Sequence, residues 1–147
     1  MTDEDAKSAA DAFISGTAKT LLIGGKWVEA RAGKTFATIN PADGNVLGHA
    51  AAGEAADVDA AVSAARKAFE SPAWSGMSPH ARSRLLLRIA DTVESHAEEL
   101  AQIESRDNGA PLSIARAMVA SVAETFVYYA GWATKIYGET NPAPAGI

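Results

Sequence analysis

The hydrophobic residues of this chain change their spacing once, near Gly53, and that change sets the fold class. From Leu21 to Ala51 they come in short runs separated by turn signals, among them Gly24-Gly25 and Asp43-Gly44. After Gly53 they recur at helical spacing. Strands followed by helices predict an α+β fold, with a small antiparallel strand meander followed by three long helices. Because strands and helices do not alternate, a complete nucleotide-binding sheet is not expected.

Local signals predict where the helices begin and end. Residues 3–15 suit a short, weakly amphipathic helix. Ser78-Pro79 supplies a capping hydroxyl and a proline for the first turn of a later helix. Ser95 and Glu98 form an S-x-x-E capping box, which predicts a new helix or a kink there. Asn108-Gly109 has the composition of a helix end.

The last helix is predicted to run from about Leu112 to Tyr137, with Gly138 closing it. At about 1.5 Å per residue it would extend roughly 40 Å, which is long for a domain of this size. Its apolar residues recur every four positions, at Ile114, Met118, Val122 and Phe126. Aromatic residues cluster near its end, at Tyr128, Tyr129 and Trp132, and favour a core or interface role over a ligand cage.

Composition excludes several classes of function. The net charge of −5 opposes binding to a phosphate backbone, so nucleic acid is not an expected partner. No apolar run reaches the roughly 20 residues that span a bilayer, and the acidic N-terminus does not resemble a secretory signal. The sequence contains no cysteine, which excludes disulfides, zinc–thiolate sites and a thiol nucleophile within these residues. A cytoplasmic protein is the expectation.

Motifs that carry chemistry are not found. Gly33-Lys34-Thr35 ends like a phosphate-binding loop, but the first glycine of that motif is replaced by Val28, so a turn between strands is the better interpretation. His49, His80 and His96 lack metal-ligand spacing. The residues alone therefore predict no catalytic residue and no cofactor-binding residue.

Several segments, in their order, resemble the start of the NAD(P)-dependent aldehyde dehydrogenase superfamily. The resemblance runs from about Leu21 to Pro142 and includes IGGKWVEA, TFATINPADGNVLG, DVDAAVSAARKAF and PAWSGMSPHARSRLLLRIAD. Its strongest pieces are Thr38–Pro41, Asp107–Gly109 and Tyr128–Trp132. Residues 1–20, which precede the resemblance, are predicted to form an N-terminal helix and linker. Residues 21–147 would form an incomplete N-terminal portion of the cofactor-binding domain of the α/β aldehyde dehydrogenase fold.

The resemblance also implies an activity, the oxidation of an aldehyde to a carboxylic acid with NAD or NADP. In that family a cysteine attacks the aldehyde, an asparagine and a backbone N–H hold the oxyanion, and a glutamate activates water. All of these groups lie downstream of the region seen here, as does the loop that approaches the cofactor. The chain alone is therefore expected to be inactive and to bind no cofactor. It is expected to bind an aldehyde substrate only when the missing segment completes it.

Two sets of site residues are implied by the same resemblance. Some relatives bind a monovalent cation at positions that correspond to Thr38, Ile39 and Asp107, the first two through backbone carbonyls, and hard cations suit oxygen ligands. The alternative is that Asp107 only ends a helix and bonds locally. Ser121 or Val122 would face the aldehyde tunnel.

Other hypotheses remain open beside that of an enzyme segment. The chain could be a non-catalytic remnant retained as an assembly or interaction module, or it could fold together with a complementary chain. In either case the helices after Gly53 lack the sheet that they cover in the family. Their apolar stripes are therefore expected to be partly exposed, and homo-oligomerisation or poor solubility should follow.

Overall fold

The computed structural model describes residues 2–139, which form six helices and four strands. Their order along the chain is α1 (Asp3–Ser15), β1 (Leu21–Ile23), β2 (Lys26–Val28), β3 (Thr35–Ile39), β4 (Val46–Ala51), α2 (Ala55–Glu70), α3 (Pro72–Ser75), α4 (Pro79–Ser95), α5 (Ala97–Asn108) and α6 (Leu112–Trp132). This order confirms the predicted α+β class with its antiparallel strands and long helices. Among the described residues no helix is both long and apolar enough to cross a membrane.

The strands form two antiparallel hairpins, β1–β2 and β3–β4. Gly24 and Gly25 connect the first hairpin with φ angles of 61° and 77°, which only glycine adopts at no steric cost. The predicted turn at Asp43-Gly44 connects the second hairpin, and Gly44 has a φ of 76°. Both turn predictions are confirmed.

Most of the predicted helix boundaries are confirmed. Helix α1 covers the predicted residues, and Ser78 caps α4 by accepting a hydrogen bond from the backbone N–H of Ala81 at 3.2 Å. The predicted capping box at Ser95 is wrong, although a new helix does begin there. The Ser95 hydroxyl instead donates to the carbonyl of Thr92 at 2.9 Å. The N-cap residue of α5 is His96.

Helix α6 ends at Trp132 and is five residues shorter than predicted. Its last turn tightens, because the N–H of Lys135 donates to the carbonyl of Trp132 at 2.8 Å. The apolar side chains beyond it, Ile136 and Tyr137, are 83% and 81% exposed. Because helices in proteins are stabilised mainly by tertiary contacts, a segment whose apolar residues find no partner does not continue the helix.

The buried core of the described residues is built from small side chains. Helices α4, α5 and α6 pack together, and α1 packs against α5. The buried apolar residues are Ala6, Ala10, Ala30, Ala90, Ala101, Ala115, Val119, Ala123 and Ala130. Every one of them except Val119 is an alanine, so the helices approach closely but bury little apolar area.

Larger apolar side chains remain on the outside of the helices. On α2, Val62 is 61% exposed and Phe69 is 62% exposed, and on α6 the side chain of Ile114 is 52% exposed. The inward stripe of α6 is instead Ala115, Val119, Ala123 and Ala130. The prediction that the apolar stripes would be partly exposed is confirmed.

Candidate functional site

A cavity of about 240 Å³ lies where α1, β3, β4 and α5 meet. Its polar lining residues are Lys19, Thr38, His49 and Asp107, and its other lining residues are Phe13, Ile14, Leu47, Gly48 and Ile103. These residues come from segments that are far apart in the sequence. The cavity is therefore a product of the tertiary fold.

A close approach of α1 to β4 shapes this cavity. A Cβ atom on Gly48 would lie 2.5 Å from the carbonyl oxygen of Ile14, so only glycine fits there. Lys19 continues the contact along β4, since its N–H donates to the carbonyl of His49 at 2.8 Å. The carbonyl of Lys19 accepts from the N–H of Ala51 at 2.7 Å. These contacts place the end of α1 and the following segment against the second hairpin.

The structure brings together two of the three residues predicted for a cation site. Thr38 and Asp107 line the same cavity. Ile39, whose backbone carbonyl is the third predicted cation ligand, is not among the lining residues. The Ile39 side chain is 47% exposed, and the register of β3 shifts between Thr38 and Ile39. Lys19 lines the cavity too, and its ammonium group opposes a second cation by Coulomb repulsion. The cation site stays a prediction.

The end of α5 is secured by residues other than Asp107. The Asn108 side-chain oxygen accepts from the N–H of Ala110 at 2.7 Å, and the Ser105 hydroxyl donates to the carbonyl of Ala110 at 2.7 Å. Gly109 follows with a φ of 80°, and a Cβ atom there would lie 2.8 Å from Cγ of Pro41. The segments Thr38–Pro41 and Asp107–Gly109, which carry part of the family resemblance, are thus in direct contact.

A second concavity, an apolar groove of about 330 Å³, lies between α5 and α6. Its lining residues are Val93, Leu100, Ile103, Glu104, Met118, Val119 and Val122. Val122 therefore faces this groove, whereas Ser121 is exposed beside it and its carbonyl accepts from the Thr125 hydroxyl at 2.7 Å. Their role at an aldehyde tunnel stays a prediction.

An ion pair between charged side chains joins two of the helices that surround the groove. The guanidinium of Arg116 on α6 donates two hydrogen bonds to Glu98 on α5, at 2.7 and 2.8 Å. Those bonds, with a further one from Gln102, lower the pKa of the Glu98 carboxyl. The same pair raises the pKa of Arg116, chiefly through the hydrogen bond to Glu98. Both groups therefore stay ionised over the neutral range, and the pair joins the two walls of the groove.

Asp57 has a comparable positioning role at the start of α2. Its side chain is 4% exposed and accepts from the N–H of Glu54 at 2.9 Å and from the N–H of Arg31 at 3.1 Å. The bond from Glu54 and then that from Arg31 lower the pKa of the Asp57 carboxyl. One carboxylate thus caps the helix and anchors the loop after β2.

The remaining candidates take structural places. Gly33 closes a turn before β3, since its N–H donates to the carbonyl of Ala30 at 2.8 Å, and Thr35 is the first residue of that strand. Lys34 Nζ lies 2.6 Å from Glu54 Oε1. The interpretation as a turn between strands is confirmed. The rings of Tyr128 and Tyr129 meet edge to face with centroids 5.2 Å apart, on an exposed part of α6. Within residues 2–139 no group of three or more His, Cys, Asp or Glu side chains is arranged to hold a metal ion.

Sequence reasoning missed most of the first cavity. Lys19, Ile14 and Leu47 were not singled out, although they form its walls. The only local signal was Gly48, a glycine inside a strand, which often marks a close backbone approach. That signal does not say which segment approaches.

Comparison with known proteins agrees with this architecture. The family model described as "Aldehyde dehydrogenase family" matches residues 27–146. The chain is 51% identical over 124 residues to aldehyde dehydrogenase family 2 member B4, mitochondrial, of Arabidopsis thaliana. The aligned region covers 84% of this chain and 23% of that protein.

Solved structures give the same result. An NAD+ complex of aldehyde dehydrogenase from Bacillus cereus matches with a TM-score of 0.86 and 44% identity, covering 92% of this chain and 28% of that one. Betaine aldehyde dehydrogenase from Staphylococcus aureus in complex with NAD+ matches with a TM-score of 0.87 and 33% identity, covering 95% and 28%. The chain thus spans about a quarter of the length of these relatives. It belongs to the aldehyde dehydrogenase family.

Proposed function

We propose that residues 1–147 form the N-terminal segment of an enzyme that oxidises an aldehyde to a carboxylic acid with NAD or NADP. The observation that carries this proposal is the fold match to NAD+-bound aldehyde dehydrogenases over nine-tenths of the chain. Family membership supports aldehyde oxidation as the general activity. Which aldehyde the enzyme accepts depends on parts of the protein beyond these residues.

In this proposal the segment positions other groups and does not react itself. A nicotinamide cofactor would accept the hydride, but the described residues contain no βαβ unit with a helix N-terminus to receive a pyrophosphate. No thiol is available either, since the 147 residues contain no cysteine. We therefore assign nucleophile and cofactor binding to the remainder of the enzyme. Val122 in the apolar groove, with Ser121 beside it, would border the aldehyde tunnel.

Complementation tests the proposal. A relative such as the Bacillus cereus enzyme would be expressed without the N-terminal quarter that matches this chain, alone and together with residues 1–147. We expect aldehyde-dependent NADH formation only in the co-expressed sample. A matched control carries Gly48→Val in residues 1–147, which places side-chain atoms against the Ile14 carbonyl. Activity of residues 1–147 by themselves, or failure of complementation by a soluble chain, would contradict the proposal.

A second candidate function is that of a non-catalytic assembly module that associates with itself or with a complementary chain. The many large apolar side chains left exposed on α2 and α6 favour it, because exposed apolar surface can serve as an interaction site. The complementation experiment separates the two functions. A module binds the shortened relative, or itself, without restoring NADH formation.

We also propose a cytoplasmic location, for which the absence of cysteine from the 147 residues is the support, because secreted domains are often stabilised by disulfides. The Arabidopsis relative is mitochondrial by name, so relatives occur in more than one compartment. Fractionation of cells followed by immunoblotting would decide the matter, and recovery with a membrane or organelle fraction would contradict the proposal.

A further inference from the structure

Helix α1 is attached to the rest of the chain mainly by small apolar side chains. Ala6 and Ala10 are buried, both 0% exposed, whereas Ile14 is half-buried and Phe13 near the end of the helix is 49% exposed. Apolar stabilisation scales with the area removed from water, and two alanine methyl groups remove little. Other interactions must therefore contribute a sizeable share of the free energy that holds α1 on α5.

One ion pair is placed to make that contribution. Asp11 on α1 pairs with the guanidinium of Arg106 on α5, where the Arg106 side chain is 21% exposed and that of Asp11 is 58% exposed. Arg116 lies 3.5 Å from Asp3, but Asp3 is 85% exposed and Arg116 already bonds twice to Glu98. The Asp11–Arg106 pair is therefore the main electrostatic contact, and we call it the latch.

The net charge of α1 agrees with such an attachment. Between Asp3 and Ser15 the helix carries four carboxylates and one lysine. It has no basic residue in its last turn. A helix of that charge is drawn to a surface that presents arginines, and this attraction weakens as salt is added.

Helix α1 is also a wall of the cavity that holds Thr38 and Asp107. Phe13 and Ile14 line the cavity from the α1 side, and the Ile14 carbonyl lies against Gly48 of β4. Lys19 Nζ sits 4.2 Å from the centroid of the Phe13 ring and so holds that wall in place. If α1 left α5, the cavity would lose this side and open to solvent.

We propose that α1 is a strap, fastened to α5 by the Asp11–Arg106 latch, which closes the cavity and opens it when the latch is broken. An isolated helix of 13 residues is marginal in water. A detached strap therefore loses its helical hydrogen bonds, and the exchange of its backbone amides reports whether it is docked.

Hydrogen–deuterium exchange of the whole chain tests the latch. We expect the amides of α1 to exchange roughly 1.5-fold to fivefold faster in Asp11→Asn and in Arg106→Gln than in the wild type at low salt. The double variant should exchange no faster than the faster single variant, because the two residues act as one pair. One molar salt should remove most of the difference from the wild type. The matched control is Arg66→Gln, whose pair with Glu70 lies within α2, and it should leave α1 unchanged.

A thiol probe tests the opening of the cavity. Because the chain contains no cysteine, Leu47→Cys introduces a single reactive group at the cavity wall. Its labelling by a thiol reagent should be about 1.5-fold to fivefold faster when Arg106→Gln is added. Additive effects of Asp11→Asn and Arg106→Gln on exchange would overturn the latch. Labelling of Leu47→Cys at an unchanged rate would overturn the assignment of α1 as the strap.

Discussion

At the scale of single residues, the buried carboxylate of Asp57 gives a prediction about pH. Hydrogen bonds from Glu54 and Arg31 lower its pKa in the folded chain, whereas the unfolded value is about 3.9. The stabilisation is therefore present above the unfolded pKa and is lost as the pH falls through the lower, folded pKa. We expect Asp57→Asn to lower the Tm by about 3 to 6 °C at pH 7.

Thermal unfolding at pH 7 and near pH 3 measures this effect. The difference between Asp57→Asn and the wild type should be smaller at the lower pH, because the unfolded carboxyl is protonated there and the lowered pKa of the folded carboxyl no longer gives its full stabilisation. Asp59→Asn is the matched control on the same helix, because its side chain is exposed, and it should change the Tm little. An equal loss for both variants, or a difference independent of pH, would contradict the assigned role of Asp57.

Gly109 gives a second prediction at this scale, because it combines a positive φ with a close contact. Gly109→Ala places a Cβ atom in a left-handed backbone and 2.8 Å from Cγ of Pro41. Gly44 has a similar φ of 76° but nothing within 4 Å, so Gly44→Ala isolates the backbone cost. We expect Gly44→Ala to cost about 1 kcal/mol and Gly109→Ala about 2 to 3 kcal/mol.

Urea unfolding of both glycine variants provides the comparison. If the two variants lose the same free energy of unfolding, the contact between Pro41 and Gly109 does not constrain the fold. In that case packing between Pro41 and Gly109 would not explain why the segments Thr38–Pro41 and Asp107–Gly109 occur together in this sequence.

At the scale of elements, the sequence predicted those features that depend on neighbouring residues. The glycine turn of β1–β2 and the Ser78 cap of α4 follow from backbone conformation and one nearby hydroxyl, so short spacing is sufficient. The Ser95 cap failed because the hydroxyl was already bonded within α4. The end of α6 failed because helix length depends on tertiary partners that Ile136 and Tyr137 do not find.

The candidate site was predictable only in part for the same reason. Thr38 and Asp107 were named through the family resemblance, and the structure places both at one cavity. The opposing walls, formed by Ile14 and Lys19, come from a segment joined to β4 by backbone contacts. No spacing within the sequence encodes such a contact.

The two faces of α6 can be separated by experiment. Val119 is 8% exposed and packs with Ala101 and Ala115, whereas Val122 is 46% exposed. Removing two buried methyl groups in Val119→Ala should lower the free energy of unfolding by about 1.5 to 2.5 kcal/mol. Val122→Ala should change it by less than about 0.5 kcal/mol, because that side chain is half in water already.

Urea denaturation at equilibrium distinguishes these outcomes. A larger loss for Val122→Ala than for Val119→Ala would mean that the half-exposed face of α6 is covered in solution. In that case the inward stripe of alanines would not be the main contact of the helix.

At the scale of the whole molecule, the chain exposes more surface than its size requires. Its accessible surface is 10509 Å², against about 7,100 Å² expected for a compact monomer of this length. The exposed apolar side chains of α2 and α6 contribute to that excess. Under the proposed function, a sheet formed by the rest of the enzyme would cover these helices and bury their exposed apolar side chains.

Self-association of residues 1–147 is the consequence we predict from this surface. Met118 and Val122 lie together at the groove between α5 and α6, each 46% exposed, and would be buried in a contact between copies. Sedimentation velocity should show oligomers at micromolar concentration. The variant Met118→Lys/Val122→Lys should shift the distribution towards the monomer, because burying two ammonium groups is costly.

The matched control is Ala117→Lys/Ala120→Lys, which adds the same charge at exposed positions outside the groove. Because net charge alone changes solubility, only a difference between the two double variants assigns the contact to the groove. A wild-type chain that sediments as a single monomeric species would contradict the prediction. Such a monomer would mean that the half-exposed side chains of the groove stay in contact with water, as many apolar side chains of folded proteins do.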